Sequence, residues 1–230
     1  MQIPEIKALL FMKHHSERVP RKNIRDFCGK PLFHWIIESL GRSKYINEII
    51  INTDSQEIAN NANEYFDVTI HMRPEYLLKI TSNEANLIME HDISLTDCNY
   101  FIQTHSTNPL LTVESIDKSI NTFFNNTECD SLFSVTPLQT RLYFEDGKPI
   151  NHNPGNLIKT QELPFVYEEN SCIYIFSKES FIKNQNRIGK KPILFPIEKL
   201  EAIDIDEMDD FVFAEYLMNK KIRNEAANKH

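Results

Sequence analysis

Glycine is scarce in this chain, at 5 of 230 residues, and the run Lys13–Arg25 contains none. Cysteine is sparse too. The four cysteines, Cys28, Cys98, Cys129 and Cys172, are widely spaced and form no Cys-x-x-Cys, which argues against both a zinc site and a disulfide framework. Buried free thiols are expected instead. No apolar run approaches the length of a membrane span, and the N-terminus lacks the basic start and hydrophobic stretch of a signal peptide. A cytoplasmic location without a membrane partner is the expectation. A broad basic face is also missing: the formal net charge is -8, a poor basis for binding nucleic acid. There is no internal repeat and no low-complexity tract.

What the chain does have is alternation. With 41% hydrophobic residues over 230 positions it can bury a substantial core, and the length suits one α/β domain with an excursion. Ile6–Met12 reads as a buried strand, a short apolar run that stops where charge begins. Phe33, Ile36, Ile37 and Leu40 then fall on one helical face, with Pro31 at a plausible first helical position. Strands are expected at 46–52, 68–72, 100–105, 131–136 and 172–176. Helices are expected from a cap at Asp54 through Tyr65, and over 84–93, 113–124 and about 207–222. This is a Rossmann-like, doubly wound α/β pattern. It is interrupted at about 138–170, where Arg141–Ile150 reads as a hairpin turning at Asp146-Gly147 and 151–164 is loop-rich.

The run between the first strand and helix carries the main functional signal. Five of the thirteen residues from Lys13 to Arg25 are Lys or Arg, in an otherwise acidic chain. Concentrated positive charge at the carboxyl end of a strand suits a polyanion such as a nucleoside triphosphate. The bland reading is a solvated basic loop. A second signal lies near the other end, in Ile203-Asp204-Ile205-Asp206. In an extended segment both carboxylates project on one face and both isoleucines on the other. Paired carboxylates suit magnesium. The spacing fits equally well an Asp206 that caps the last helix beside an exposed Asp204. His14-His15 has no further ligands at zinc spacing, whereas His105 lies beside Gln103 at a strand's carboxyl end, where ligands bind.

The stretch Met12-Lys13-His14-His15-Ser16-Glu17-Arg18-Val19-Pro20-Arg21-Lys22-Asn23, followed by Gly29-Lys30-Pro31-Leu32, resembles the signature loop of the CMP-sialic acid synthetases, or acylneuraminate cytidylyltransferases. Their pattern is Ala-Arg-x-x-Ser-Lys-x-x-Pro-x-Lys-Asn, then Gly-Lys-Pro-Leu. Further matches follow in order: Asn52-Thr53-Asp54, Arg73-Pro74, Gln103 with Asn108-Pro109-Leu110, and Ile203-Asp204-Ile205-Asp206. The resemblance spans nearly the whole chain. It implies a mixed sheet of the nucleotide-diphospho-sugar transferase type in a single domain over 1–230, with the interruption serving as a dimerisation arm. It also implies a homodimer, and magnesium-dependent transfer of CMP from CTP to a sugar acid with release of pyrophosphate.

Residue by residue, the resemblance gives Lys13 and Lys22 the catalytic phosphate-binding places, and Ser16, Asn23 and Arg73 the nucleotide; Arg18 and Arg21, on charge, and Ser82 are further nucleotide-binding candidates. Gln103, Asn170 and Tyr174 are the matching substrate positions, joined by His105 on its place at the strand's carboxyl end, and Asp204 and Asp206 are the matching metal ligands. Three departures stand out. Glu17 replaces a usual lysine, so that Arg18 and Arg21 would have to compensate. Two residues are inserted between Gln103 and Pro109. Glu168-Glu169 precede Asn170 where a basic residue is common. A glycosyltransferase consuming a nucleotide sugar and a non-catalytic nucleotide-binding relative are the alternative readings.

Overall fold

The central strand, β1 (Ile6–Met12), is buried on both faces, and its side chains divide by parity between two cores. Described here from a computed structural model covering residues 3–79 and 84–227, the chain first builds away from β1 on one side. A two-residue hairpin, β2 (Asp26–Phe27) and β3 (Lys30–Pro31), turns at Cys28 and Gly29, both at positive φ, and leads into α1 (Leu32–Gly41). Pro31 therefore precedes the helix instead of opening it. Next come β4 (Ile46–Thr53), α2 (Gln56–Tyr65) and β5 (Thr69–Met72). Ser55, one residue after the expected Asp54, caps α2 by accepting the Ile58 amide.

After the short α3 (Glu75–Leu78) and α4 (Glu84–Ser94), the chain returns to the far side of β1 as β6 (Tyr100–Thr104). It continues through α5 (Val113–Phe124) and β7 (Ser131–Leu138) to β8 (Val166–Ser177), α6 (Lys178–Asn184), β9 (Pro192–Pro196) and α7 (Met208–Ala227). The seven-stranded sheet runs β5-β4-β1-β6-β8-β7-β9. Only β8 runs against its neighbours β6 and β7; the other pairings are parallel. This is the doubly wound mixed sheet expected from the sequence.

One face packs Ala8, Leu10 and Met12 against Phe33 and Ile37 of α1, Ile58 of α2 and Ile116 and Ile120 of α5. The other packs Leu9, Ile50, Phe101 and Phe176 against Met89 and Ile93 of α4 and Phe181 of α6. A third cluster joins Val19, Phe27 and Leu32 to Ile205, Phe211 and Met218, docking α7 onto the loop after β1. The chain moves from β1 to β4 and β5, then reverses to β6, so the crevice at the carboxyl ends of β1 and β6 is a topological switch point.

Strand β8 begins at Val166, six residues before the expected start, and pairs with β7 out to Leu138. The segment outside the sheet is thus 139–165. Its hairpin has one bridge, Tyr143 to Pro149, with Gly147 at φ 81° in the turn. It folds back on itself through Arg141 Nη2, which donates to the Ile158 carbonyl at 2.6 Å. Short α6 and edge strand β9, bracketed by Pro192 and Pro196, are additional to the expected elements.

The loop between α6 and β9 is clamped at its end. Asp130 accepts the amides of Lys190 (2.8 Å) and Lys191 (2.9 Å), and Ser131 Oγ accepts that of Gly189 (2.8 Å). A Cβ at Gly189 would collide with the pinned Asp130 carboxylate, whereas one at Gly41 meets nothing within 4 Å. Gly189→Ala should therefore lower the unfolding free energy by about 1–3 kcal/mol in urea titrations, with Gly41→Ala neutral or slightly stabilising. Equal effects of the two substitutions would show the clamp to be loose.

Candidate active site

The loop after β1 is held to both sides of the switch point. On one side the His14 amide donates to Asp54 Oδ1 at 2.5 Å, so Asp54 fixes the loop rather than capping α2. On the other, Asn23 donates from Nδ2 to the Lys13 carbonyl (2.9 Å) and accepts from Ser106 Oγ (2.7 Å), spanning from β1 to the end of β6. Arg21, at φ 56°, precedes a single 3-10 turn over Lys22–Ile24. That turn directs Lys22 inward while Arg21 pairs outward with Glu57 of α2 at 2.5 Å.

Between these anchors lies a cavity of about 310 Å³, lined in part by Lys13, Ser16, Lys22, Asn23, Arg73 and His105. Arg18, Arg21 and Glu17 are exposed and are not among its lining residues. Ser82 lies outside the described residues. Arg73 is the most buried of the three cations, with its side chain 1% exposed. Its Nε donates to Asn52 Oδ1 at 2.8 Å, and Asn52 in turn donates to the fully buried Asp92 at 2.8 Å. Burial disfavours the Arg73 charge and brings its pKa down, while Asp54, Glu84 and Asp92 oppose that. Glu84, at the start of α4, pairs with both Lys13 (2.8 Å) and Arg73 (3.4 Å).

Lys22 connects the basic loop to the acidic segment. Its Nζ donates to the Ile205 carbonyl at 2.6 Å and lies 3.9 Å from Asp206, which also accepts from Arg18 at 2.7 Å. Burial lowers the Lys22 pKa, and Asp204 and Asp206 pull it back up. Ile203 and Ile205 face the α7 cluster, as the alternation predicts, and the Ile205 amide donates to the Thr107 carbonyl at 2.9 Å. Asp204 is raised above the usual carboxylate range by burial, helped by Asp206 and opposed by a hydrogen bond from Thr107. Its Oδ1 is buried without a hydrogen-bond partner. The Asp206 carboxylate is taken by Arg18 rather than by a helix amide; Asp210, the third residue of α7, reaches back to accept the amides of Glu207 (2.8 Å) and Asp206 (3.1 Å).

The remaining predicted residues lie on or just after β6 and on β8, with the Asn170 side chain turned toward β7. Asn170 uses its amide on Ser134 (2.6 Å) and Thr136 (3.1 Å) of β7, securing the irregularity where Ser171 adopts φ 59°. Tyr174 is fully buried and donates its hydroxyl to Glu169; burial raises its pKa. Gln103 Oε1 accepts from Arg187 Nη1 at 2.6 Å. Arg187, which sequence reasoning passed over, stacks its guanidinium 3.5 Å from the centre of the Tyr174 ring. Nothing in its local sequence, a polar loop after an unrecognised short helix, marked it.

A family model described as cytidylyltransferase matches residues 8–222. The chain belongs to the cytidylyltransferase family. Post-translational flagellin modification protein B of Campylobacter coli is 30% identical over 229 residues, which cover 94% of this chain and 96% of that protein. CMP-N,N'-diacetyllegionaminic acid synthase of Campylobacter jejuni is 27% identical (94% and 96%), and the pseudaminic acid cytidylyltransferase of that species 25% (92% and 94%). The solved structure of CMP:2-keto-3-deoxy-manno-octonic acid synthetase complexed with CTP shares the fold, with a TM-score of 0.69 at 10% identity, covering 95% of this chain and all of that one. As a cytidylyltransferase, the chain is a nucleotidyltransferase, as its sequence led one to expect. Among the described residues, no helix is long and apolar enough to cross a membrane, and all four cysteines are free, two of them buried.

His105 supplies a test of the site's electrostatics. Burial, with Arg187 and Lys22 nearby, lowers its pKa to about 4, so the folded protein holds the imidazole neutral. The unfolded chain takes up that proton near pH 6.5. The stability contribution is therefore complete above about pH 6.5 and is lost as pH falls toward 4, by on the order of 3 kcal/mol. Urea unfolding between pH 4.5 and 7 should show a shallower decline for His105→Gln than for the parent protein. Parallel declines would mean that His105 is protonated in the folded state.

Proposed function

We propose that this cytidylyltransferase couples CTP to a nonulosonic acid, a nine-carbon sugar acid of the pseudaminic, legionaminic or neuraminic kind, forming the CMP-sugar. The observation that carries this reading is Lys22, held half-buried between a basic cavity and two carboxylates at the switch point. The named acids come from relatives that match over nearly their whole length. The reaction joins a sugar hydroxyl oxygen to the α-phosphorus of CTP, breaks the bond from that phosphorus to the bridging oxygen, and releases pyrophosphate and a proton.

The protein's part is positioning and charge. Lys13 and Lys22 approach the triphosphate from the loop, and Asn23 fixes the loop's path. Arg73, fixed by Asn52 and Asp92, offers rigid donors to the nucleotide at the end of β5. His105 and Gln103 face the acid from β6. Of the two exposed arginines, Arg18 pairs with Asp206 at the acidic segment and is the one offered to the outer phosphates against the repulsion of Glu17, whereas Arg21 is engaged by Glu57 away from the cavity.

Magnesium fits the acidic segment. A buried carboxylate oxygen without a partner, beside a second carboxylate, is the kind of hard oxygen donor that the ion takes. Among the described residues no group of three or more His, Cys, Asp and Glu could hold a metal, so Asp204 and Asp206 would share the ion with phosphate oxygens and water. Bound there, magnesium would neutralise phosphate charge and stabilise the leaving pyrophosphate. The glycosyltransferase alternative is less well supported, because the matched family region includes both the basic loop and the acidic pair.

Pyrophosphate release should require CTP in preference to UTP, ATP or GTP, together with pseudaminic, N,N'-diacetyllegionaminic or N-acetylneuraminic acid and magnesium. Asp204→Asn should lower turnover by about 100-fold or more. It should leave the Tm unchanged or higher, because it removes a desolvated charge. Undiminished turnover at low magnesium would remove the metal assignment, and equal use of all four triphosphates the cytidine assignment.

Assembly into a homodimer through the 139–165 arm is part of the same proposal. Leu157 is 76% exposed, and Tyr143, Phe144 and Phe165 are each more than half exposed, so the arm presents apolar surface that a second copy would cover. Light scattering should give twice the chain mass. A Leu157→Glu, Phe165→Glu double variant should run as a monomer, and a parent protein that is itself monomeric would end this part of the proposal.

A further inference from the structure

Arg187 is expensive to keep where it is. Its side chain is 17% exposed, and burial lowers its pKa against the pull of Tyr174 and Glu169. Its carboxylate neighbour, Glu169, lies 4.0 Å away, the outer limit of an ion pair, and Glu169 already accepts the Tyr174 hydroxyl. One of the five guanidinium donors goes to Gln103 at 2.6 Å, and Cζ sits over the Tyr174 ring, 3.5 Å from its centre. A guanidinium so aligned but so loosely neutralised presents a planar fork suited to a second carboxylate.

The surroundings fix the fork in place. Beyond Arg187 the loop is tied to the start of β7 by Asp130 and Ser131, and Gly189 packs so closely on Asp130 that no side chain fits there. Against burial, which raises it, the Lys191 and Lys190 amides bring the Asp130 pKa down, so the clamp stays ionised at neutral pH. Near Arg187, the Nε2 atom of His105 is buried without a hydrogen-bond partner. Arg187 is not among the residues lining the cavity that holds Lys13, Lys22 and Arg73, so it stands apart from the phosphate-facing cations.

We propose that Arg187 binds the carboxylate of the sugar acid, with Gln103 and Tyr174 holding its guanidinium flat and the Asp130 clamp setting its position. The proposal rests on the cytidylyltransferase reading above and adds to it the residue that selects for an acid. It implies that neutral sugars and carboxyl-masked analogues are rejected at this position. The competing explanation is that Arg187 only staples β6 to β8.

The test uses whichever of the three nonulosonic acids the parent protein turns over, with its methyl ester as a competitor. Arg187→Gln should raise KM for the acid by about 10–100-fold, the loss of a charge-assisted hydrogen-bonded pair. The ester's Ki should change less than about threefold, since it never engaged the charge. CTP binding, followed by calorimetry, should be unchanged, and Arg187→Lys should recover part of the loss. If acid and ester weaken equally, Arg187 is a staple and the proposal is wrong; if the acid's KM is unchanged, it is wrong as well. A parent protein that releases no pyrophosphate from CTP with any of the acids overturns the cytidylyltransferase reading and this proposal together. Normal parent turnover with an undisturbed Arg187→Gln overturns this proposal alone.

Discussion

Lys22 donates its ammonium to the carbonyl of Ile205, 183 residues away, and the arrangement of the site follows from that contact. A half-buried ammonium needs anionic company, and the chain meets the need by bringing Asp204 and Asp206 to it. The acids are themselves unfavourably placed: burial and mutual repulsion raise Asp204, and Lys22 opposes that. Neither end of the chain would be comfortable in this position without the other. Docking of α7 beneath the loop, through Ile205, Phe211 and Val19, supplies the apolar burial that holds the charges at this spacing.

The sheet divides the work. The strands β1, β4 and β5 carry, at their carboxyl ends, the lysine loop, Asn52 and Arg73. On the other side, β6, β8 and the loop ahead of β9 carry Gln103, His105, Tyr174 and Arg187. His105 is kept neutral chiefly by burial, with the cations of both sides, Arg187 and Lys22, adding to it. Desolvated cations thus stand on both sides of the switch point, Lys22 and Arg73 on one and Arg187 on the other, an arrangement that suits the anionic ligand pair proposed above.

The fold was legible in the sequence wherever periodicity was long. Helix α5 falls on its expected bounds, and β1, β4 and α4 begin where the patterns put them, because each buries a whole face or stripe. The misses have local causes. Asp54 and Ser55 are both good caps, and the choice between them was made by the His14 amide, which captured Asp54. Strand β9 is bracketed by prolines and α6 has only 7 residues, so neither gave a clear period. The start of β8 was hidden because its first residues, Val166–Asn170, are mostly polar and pair at the margin of the sheet. In the site, the residues adjacent in sequence to the basic loop and the acidic pair could be named beforehand. Arg187 could not, since its meaning depends on a stacking partner 13 positions back and on Gln103, 84 positions away.

Strand β8 has one more consequence. It runs opposite to β6, with Tyr174 level with Gln103, so the residues before Tyr174 extend past the end of β6 at the ligand edge. Val166–Glu169 remain paired there with Val135–Leu138 of β7. The wall beside Arg187 is therefore made of hydrogen-bonded strand rather than of mobile loop. Conformational freedom along it is surrendered when the chain folds, and an incoming acid has less of that entropy to suppress. Such preorganisation favours tight discrimination between similar sugars over adaptability to many.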